Sequence, residues 1–112
     1  MTVRVYLPLT LPDLAAHHAS GQIPETVDHF TADAEDEESE YAALMSAADA
    51  SAELLGGAGR RVVAVAEVPQ PAGQIPMSLV VAVHVDVADF TDPDDDLAWF
   101  ATQEIPDLVA GL

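Results

Sequence analysis

Cysteine is absent from this 112-residue chain, which excludes disulfide bonds, thiol catalysis and cysteine-ligated zinc or iron–sulfur sites. Cations are scarce as well, because three Lys+Arg stand against twenty Asp+Glu and give a formal net charge of −17. Binding to nucleic acids and anionic membranes depends on cations that meet phosphates, so we expect the protein to bind neither directly. No apolar run reaches the roughly 18 residues that span a bilayer. Residues 1–8 lack a signal-peptide pattern, so we expect a cytoplasmic protein.

Half of the residues are apolar, and this length suits one core, so we expect a single domain over residues 1–112. Residues 2–7 alternate between apolar and polar side chains and predict a first strand. Pro12 and Gly21 are typical start and stop residues and predict a helix over residues 10–20. Residues 25–30 are ambiguous, and a short edge strand is one interpretation.

The central part of the chain predicts a long helix over residues 35–55, with Asp33 as its cap and acidic residues in its first turn. Residues 61–68 and 77–87 are rich in β-branched side chains and predict an antiparallel hairpin. Apolar residues recur in the helix at helical spacing and predict its packing stripe. They are Tyr41, Leu44, Met45, Ala48, Ala52 and Leu55.

The last part of the chain carries a strong helix-start signal, since Asp92 can cap a helix whose first residue is Pro93. We therefore expect a short helix over residues 93–102 and a final turn around residues 106–109. The element order is β-α-(β)-α-β-β-α. It predicts an α+β fold with a mostly antiparallel sheet and helices packed on one face.

Five short segments carry a family resemblance: residues 4–8 (RVYLP), 37–44 (EESEYAAL), 50–55 (ASAELL), 61–63 (RVV) and 83–86 (VHVD). As a set they resemble a family of small, uncharacterised actinobacterial proteins that is catalogued as a domain of unknown function. The resemblance covers about residues 3–103. It implies an actinobacterial, cytoplasmic protein and implies no catalytic residue.

Polar side chains occupy one face of two predicted strands. Arg4 and Tyr6 alternate with the apolar residues of the first strand, and His84 and Asp86 alternate with those of the last long strand. If these strands are neighbours, the four residues form one polar cluster, which Glu67 can join. Two interpretations stay open. One is a solvated or dimer-covered face with Asp86 paired to His84 or Arg4; the other is a site where Asp86 or Glu67 orients His84 as a general base.

Acidic residues are concentrated in two segments, with six in residues 33–40 and six in residues 86–96. A negative field of this density can steer a basic partner towards the protein or mimic the phosphates of DNA. Ordinary solubility is the alternative explanation. Glu37, Glu38 and Glu40 in the long helix are the candidate contacts for a partner.

The sequence offers no metal site or catalytic motif. Asp92, Asp94 and Asp96 have the spacing of a calcium loop, but Leu97 stands where the turn needs glycine and Gln103 where a bidentate Glu is needed. A helix cap explains the same acidic residues. No serine lies in a nucleophile elbow, and no glycine-rich phosphate loop is present. We therefore expect no catalytic residue, no metal and no cofactor.

The interpretation that fits best is a non-catalytic protein-interaction module, either a homodimer or a module that binds a basic protein. A homodimer would cover the exposed face of a sheet with helices on one side only. Glu37 lies one turn before Tyr41 and can hold its hydroxyl or a partner's cation. The alternatives are a small-ligand binder or enzyme that uses His84 with Asp86, and an acidic DNA mimic that inhibits a nucleic-acid-binding protein.

Overall fold

The fold is an α+β arrangement of six strands and three helices in a computed structural model that describes residues 2–112. The strands are Val3–Leu9 (β1), Gln22–Ile23 (β2), Val62–Val68 (β3), Ile75–Pro76 (β4), Val80–Val85 (β5) and Ala98–Ala101 (β6). The helices are Leu11–Ser20 (α1), Glu37–Leu54 (α2) and Ile105–Leu108 (α3). One sheet has the order β1–β3–β5–β6, a second pairs β2 with β4, and each of these pairings is antiparallel. The predicted fold class is confirmed. None of the helices in residues 2–112 is both long and apolar enough for a bilayer crossing.

The first helix begins and ends where its sequence signals place it. The Thr10 hydroxyl accepts a hydrogen bond from the Asp13 N–H at 3.2 Å, and the Asp13 carboxylate accepts one from the Thr10 N–H at 3.2 Å. This reciprocal arrangement satisfies two backbone donors that the helix leaves free. Gly21 ends the helix with φ 85°, a left-handed conformation that suits glycine.

The buried residues of the long helix α2 all have small side chains. Its cap is Asp36 and not Asp33, since the Asp36 carboxylate accepts a hydrogen bond from the Ser39 N–H at 2.7 Å. The predicted stripe is confirmed in part, because Ala48 is buried and Leu44 and Met45 pack against the core, whereas Tyr41 is half exposed. Small side chains allow the helix to approach the sheet closely. The buried residues of α2 are Ala43, Ala47, Ala48 and Ser51.

The helices lie on both faces of the four-stranded sheet. Leu7 of β1 belongs to an apolar cluster with Leu14 of α1 and Ile105 of α3. Tyr6, its neighbour in the same strand, belongs to a second cluster with Ala47 of α2. Successive residues of a strand point to opposite faces, so α2 covers one face while α1 and α3 cover the other. The expected placement of all helices on a single face is therefore corrected.

The ambiguous segment 25–30 does not form a strand. Its last residue, Phe30, instead makes one isolated bridge to the edge strand β1. The Tyr6 N–H donates to the Phe30 carbonyl at 2.8 Å, and the Phe30 N–H donates to the Tyr6 carbonyl at 2.9 Å. This single pair partly protects the β1 edge of the sheet from further pairing.

The predicted helix over residues 93–102 is wrong. The Asp92 carboxylate does accept a backbone hydrogen bond, from the Asp94 N–H at 2.9 Å, but the chain makes a turn there rather than a helix. The Arg61 guanidinium donates to the carbonyls of Pro93 and Asp95, each at 2.9 Å. These carbonyls are therefore bound to Arg61, which directly precedes β3, rather than to a following helical turn. Residues 98–101 form β6 instead and pair with β5. The short helix α3 lies where the final turn was expected.

Candidate functional site

A groove of about 480 Å³ lies on the α2 face of the four-stranded sheet, between α2 and the strands β5 and β6. It exists because α2 packs against β1 and β3 and leaves β5 and β6 uncovered on that face. The groove brings together five of the seven sequence-predicted site residues, and it also contains Glu67. These five are Arg4, Tyr6, Glu37, Glu40 and His84.

The helical wall of the groove is one stripe of α2. Glu37, Glu40, Tyr41 and Leu44 all line it. Their spacing of three, one and three residues places them on the same helix face, one above another. The wall is acidic near the start of the helix and apolar one turn further on.

All four strands of the sheet contribute to the groove, and β5 and β6 form the part that α2 leaves uncovered. His84 pairs with Trp99 across these strands, so both side chains lie on the same face. A bulge in the pairing of β3 with β5 places Val65 opposite Ala82 and Ala66 opposite Val80. Val81 is the extra residue of this bulge and lines the groove. An extra residue shifts the alternation of the strand, so Val81 lines the groove although regular alternation would place it on the face opposite to His84.

Arg4 holds two of the groove carboxylates. Its Nη1 lies 3.2 Å from Glu40 Oε1, and its Nη2 lies 3.5 Å from Glu67 Oε2. Burial alone lowers the pKa of Arg4, but its charged and polar neighbours, with Glu67 as the largest contributor, outweigh this effect and raise the pKa above its usual value. Tyr6 lies beside this pair, and burial followed by the negative charge of Glu40 raises the pKa of its hydroxyl.

His84 is a half-buried imidazole that lines the groove. Desolvation by the surrounding residues holds its pKa below the usual value of 6.5, and desolvation is the sole cause of the shift. No carboxylate in residues 2–112 therefore counteracts this shift, and the ring is neutral near pH 7. A histidine that acts as a general base is normally oriented by a partner, and His84 lacks a carboxylate in that position.

Asp86 lies outside the groove and pairs with neither His84 nor Arg4. Its carboxylate binds Arg61, with Oδ2 2.8 Å from Nε and Oδ1 2.9 Å from Nη2. The same Oδ2 accepts the Arg61 N–H at 2.8 Å. β5 ends at Val85, so Asp86 no longer follows the strand alternation that was expected to place it beside His84. β3 also separates β1 from β5, so Arg4, Tyr6 and His84 line the same groove without being on neighbouring strands.

Glu38, a candidate partner contact, lies outside the groove, and the expectation that Glu37 holds the Tyr41 hydroxyl is corrected. Glu38 lies on the opposite flank of the helix, where it lines a different depression together with Phe30. The Tyr41 hydroxyl donates to Asp96 Oδ1 at 2.7 Å and not to Glu37. This hydrogen bond is the main cause that raises the pKa of Tyr41.

Sequence reasoning overlooked the apolar part of the groove. Trp99 and Val81 were not among the predicted site residues, and Leu44 was assigned to the core. The run Ala98–Ala101 places Trp99 and Phe100 on opposite faces of a strand, but the preceding helix-start signal concealed this alternation. Within residues 2–112, no cluster of three or more His, Asp or Glu side chains is arranged to hold a metal ion, so no metal ligand is assigned.

Comparison with known proteins identifies one match. The sequence model of a family of unknown function, DUF6912, matches residues 3–93. This segment contains every residue that lines the groove except Trp99. No curated protein matches the chain. No solved structure matches it either.

Proposed function

The chain belongs to DUF6912, a family of unknown function, and we propose that it is a non-catalytic protein-interaction module whose groove receives a segment of a partner protein. The observation that carries this proposal is the concentration of exposed apolar side chains in one concave place. Of the six large apolar side chains that residues 2–112 expose, three line the groove. They are Tyr41, Val81 and Trp99, with 49%, 42% and 61% of their surface exposed.

Exposed aromatic side chains that lie together in a groove are typical of protein-binding sites, because burying them on association supplies much of the binding free energy. Trp and Tyr are the residues that most often dominate such interfaces. The groove volume of about 480 Å³ suits a few side chains of an extended or helical segment.

The chemistry of the groove supports binding rather than catalysis. His84 is its candidate base, and burial alone lowers its pKa, with no contribution from a carboxylate of residues 2–112. Asp86, the expected partner of His84, is fully engaged by Arg61. Three other charged residues of the groove, Arg4, Glu40 and Glu67, are bound to one another.

The charge of the chain favours a different protein over a second copy as the occupant. Each chain carries a formal net charge of −17, so two copies repel each other as they approach. A partner of opposite charge is attracted by the same field. The apolar wall of the groove also favours a folded or extended protein segment over recognition as a phosphate mimic, which needs a surface of carboxylates alone. The cytoplasmic location and actinobacterial origin that the sequence implied stay predictions.

Photo-crosslinking from inside the groove tests the proposal. A photoreactive phenylalanine analogue replaces Val81 in the groove, and a matched variant carries it at Val87, which is exposed but outside the groove. After irradiation in a lysate of the source cells, we expect Val81 to give an adduct with a second protein. The adduct should be absent from Val87 and lost when Trp99→Ala is added to the Val81 variant.

Three outcomes would contradict the proposal in different ways. No adduct from Val81, or equal adducts from Val81 and Val87, would reject the groove as a docking site. An adduct between two copies of the chain would replace the heterologous partner with a homodimer. Leu54→Ala serves as the control for Trp99→Ala, because Leu54 is an exposed apolar residue on α2 outside the groove.

A further inference from the structure

Resting on the proposed function, we infer that the partner segment carries an arginine or lysine side chain whose cation is held by Glu37 and Glu40 beside the rings of Tyr41 and Trp99. The acidic and apolar parts of the groove then bind the two parts of one basic side chain. The aliphatic stem of the side chain packs on the apolar wall, and its charged end reaches the carboxylates.

The groove contains more negative than positive charge. Three carboxylates line it, from Glu37, Glu40 and Glu67, against the single guanidinium of Arg4. With His84 neutral, this leaves an excess of two negative charges. Glu37 takes part in none of the three ion pairs of residues 2–112, which join Arg4 to Glu40, Arg4 to Glu67 and Arg61 to Asp86.

Arg4 shows that a guanidinium is accommodated at these carboxylates. Its two terminal nitrogens lie 3.2 Å from Glu40 and 3.5 Å from Glu67, and its side chain is 46% exposed. Arg4 contacts only one oxygen of each carboxylate, so both carboxylates retain accepting capacity. Glu37 lies three residues before Glu40 on the same helix face, about 5–6 Å away at Cβ, close enough for one cation to contact both.

Two aromatic rings complete the proposed site. Tyr41 follows Glu40 directly on the helical wall, and Trp99 lies across the groove on β6. The face of either ring attracts a cation, and the indole ring does so most strongly. The hydrogen bond from the Tyr41 hydroxyl to Asp96 anchors this ring before any partner binds, which reduces the entropy lost on binding.

The long-range field acts in the same direction. A net charge of −17 on 112 residues raises the local concentration of basic segments and accelerates their association. This attraction weakens as salt is added, whereas apolar contact with Trp99 does not. Binding of a basic segment should therefore fall with ionic strength without disappearing.

Defined peptides test the cation directly. The probes are a capped Leu-Arg-Leu-Arg-Leu peptide and its citrulline counterpart, which has the same shape but no charge. Each is titrated into the isotope-labelled full chain and followed by nuclear magnetic resonance. We expect the arginine peptide to shift groove resonances and the citrulline peptide to bind at least about fivefold more weakly, since two cation sites are lost.

Paired variants separate the groove from the general charge of the protein. Glu37→Gln should weaken binding of the arginine peptide about threefold, while Glu53→Gln, about 24 Å further along α2, should leave it unchanged. Arg4→Gln removes a competing cation and should tighten binding by about the same factor. Val87→Glu makes the net charge one unit more negative, as Arg4→Gln does, but it adds this charge outside the groove. It should therefore tighten binding less than Arg4→Gln.

The results distinguish this inference from the proposed function. Equal affinity for the citrulline peptide, peptide shifts outside the groove, or equal effects of Glu37→Gln and Glu53→Gln would overturn the inference. Sequencing the segment crosslinked to position 81 gives an independent test, and a neutral or acidic segment would overturn the inference while leaving the docking groove in place. Absence of any groove-specific adduct would instead overturn the proposed function.

Discussion

Arg61 and Asp86 form a bidentate ion pair inside the protein, with Nε–Oδ2 and Nη2–Oδ1 distances of 2.8 and 2.9 Å. The Arg61 side chain is fully buried, and that of Asp86 is nearly so. The ring of Phe90 stacks on the guanidinium at 4.6 Å. Because Arg61 also binds the carbonyls of Pro93 and Asp95, the pair holds the acidic loop that precedes β6 and thereby fixes the position of the groove.

Removing the acidic partner should strongly destabilise the fold. Asp86→Ala leaves a buried guanidinium without its counter-charge, and we expect the free energy of unfolding to fall by about 3–5 kcal/mol. Urea denaturation followed by circular dichroism measures this change. Asp89→Asn is the matched control, because it also removes one negative charge but from an exposed residue. A loss from Asp86→Ala no larger than that of the control would contradict the role assigned to the pair.

The buried Ser51 should contribute to the stability of the protein, because it attaches α2 to the sheet. The Ser51 hydroxyl donates to the Leu9 carbonyl at 2.7 Å and accepts the Val62 N–H at 2.9 Å, which connects α2 to β1 and β3. Ser51→Ala leaves both backbone groups buried without this partner and should reduce the free energy of unfolding by about 1–3 kcal/mol. Ser46→Ala, an exposed position of the same helix, should be neutral or slightly stabilising. Thermal unfolding of both variants makes the comparison.

The imidazole of His84 should give the protein a specific pH dependence of stability. Its pKa in the folded protein is below 6.5 because of desolvation, so the unfolded chain binds the proton first as the pH falls. The stability that the neutral His84 contributes is complete above the pKa of this residue in the unfolded chain. It is lost as the pH falls through the pKa in the folded protein. Urea denaturation between about pH 8 and pH 5 should therefore show a steeper loss in the wild type than in His84→Gln. Parallel curves for the two proteins would contradict this assignment.

Truncation of two adjacent residues of β6 should affect stability to different extents. Trp99 is exposed in the groove, and Phe100 packs against the core on the other face. Phe100→Ala should lower the free energy of unfolding by about 2–3 kcal/mol, while Trp99→Ala should change it by less than about 1 kcal/mol. Chemical denaturation measures both values. Similar losses would mean that Trp99 is a core residue and would weaken the case for the groove.

Local pattern explains which elements were predicted correctly. The alternation of β1 and the β-branched runs of β3 and β5 identify strands, because each side chain direction follows from its neighbours in the same strand. Thr10 and Gly21 identify α1 for a similar reason, since capping involves residues only a few positions apart. The same kind of signal at Asp92 failed, because a distant arginine binds the carbonyls that a helix would need.

The groove could be predicted only in part, because its shape depends on contacts between residues that are far apart in the sequence. The sequence brought Arg4, Tyr6 and His84 together through strand alternation, and the structure places them in one groove. It could not assign Asp86, whose counter-charge comes from Arg61, or Trp99, whose strand was concealed by a helix signal. It also could not show that α2 covers only β1 and β3, because that depends on how closely its alanines approach the sheet.

The sequence by itself determined the charge of the protein, its α+β class and the faces on which the side chains of a regular strand such as β1 lie. These properties follow from composition and from periodicities of two and 3.6 residues, which are local. The tertiary structure decided which charges meet and which aromatic rings stay exposed. Asp86 pairs with Arg61 from 25 residues away, and Tyr41 bonds to Asp96 from 55 residues away. Contacts over such separations form only when whole elements pack together, so the local pattern does not specify them.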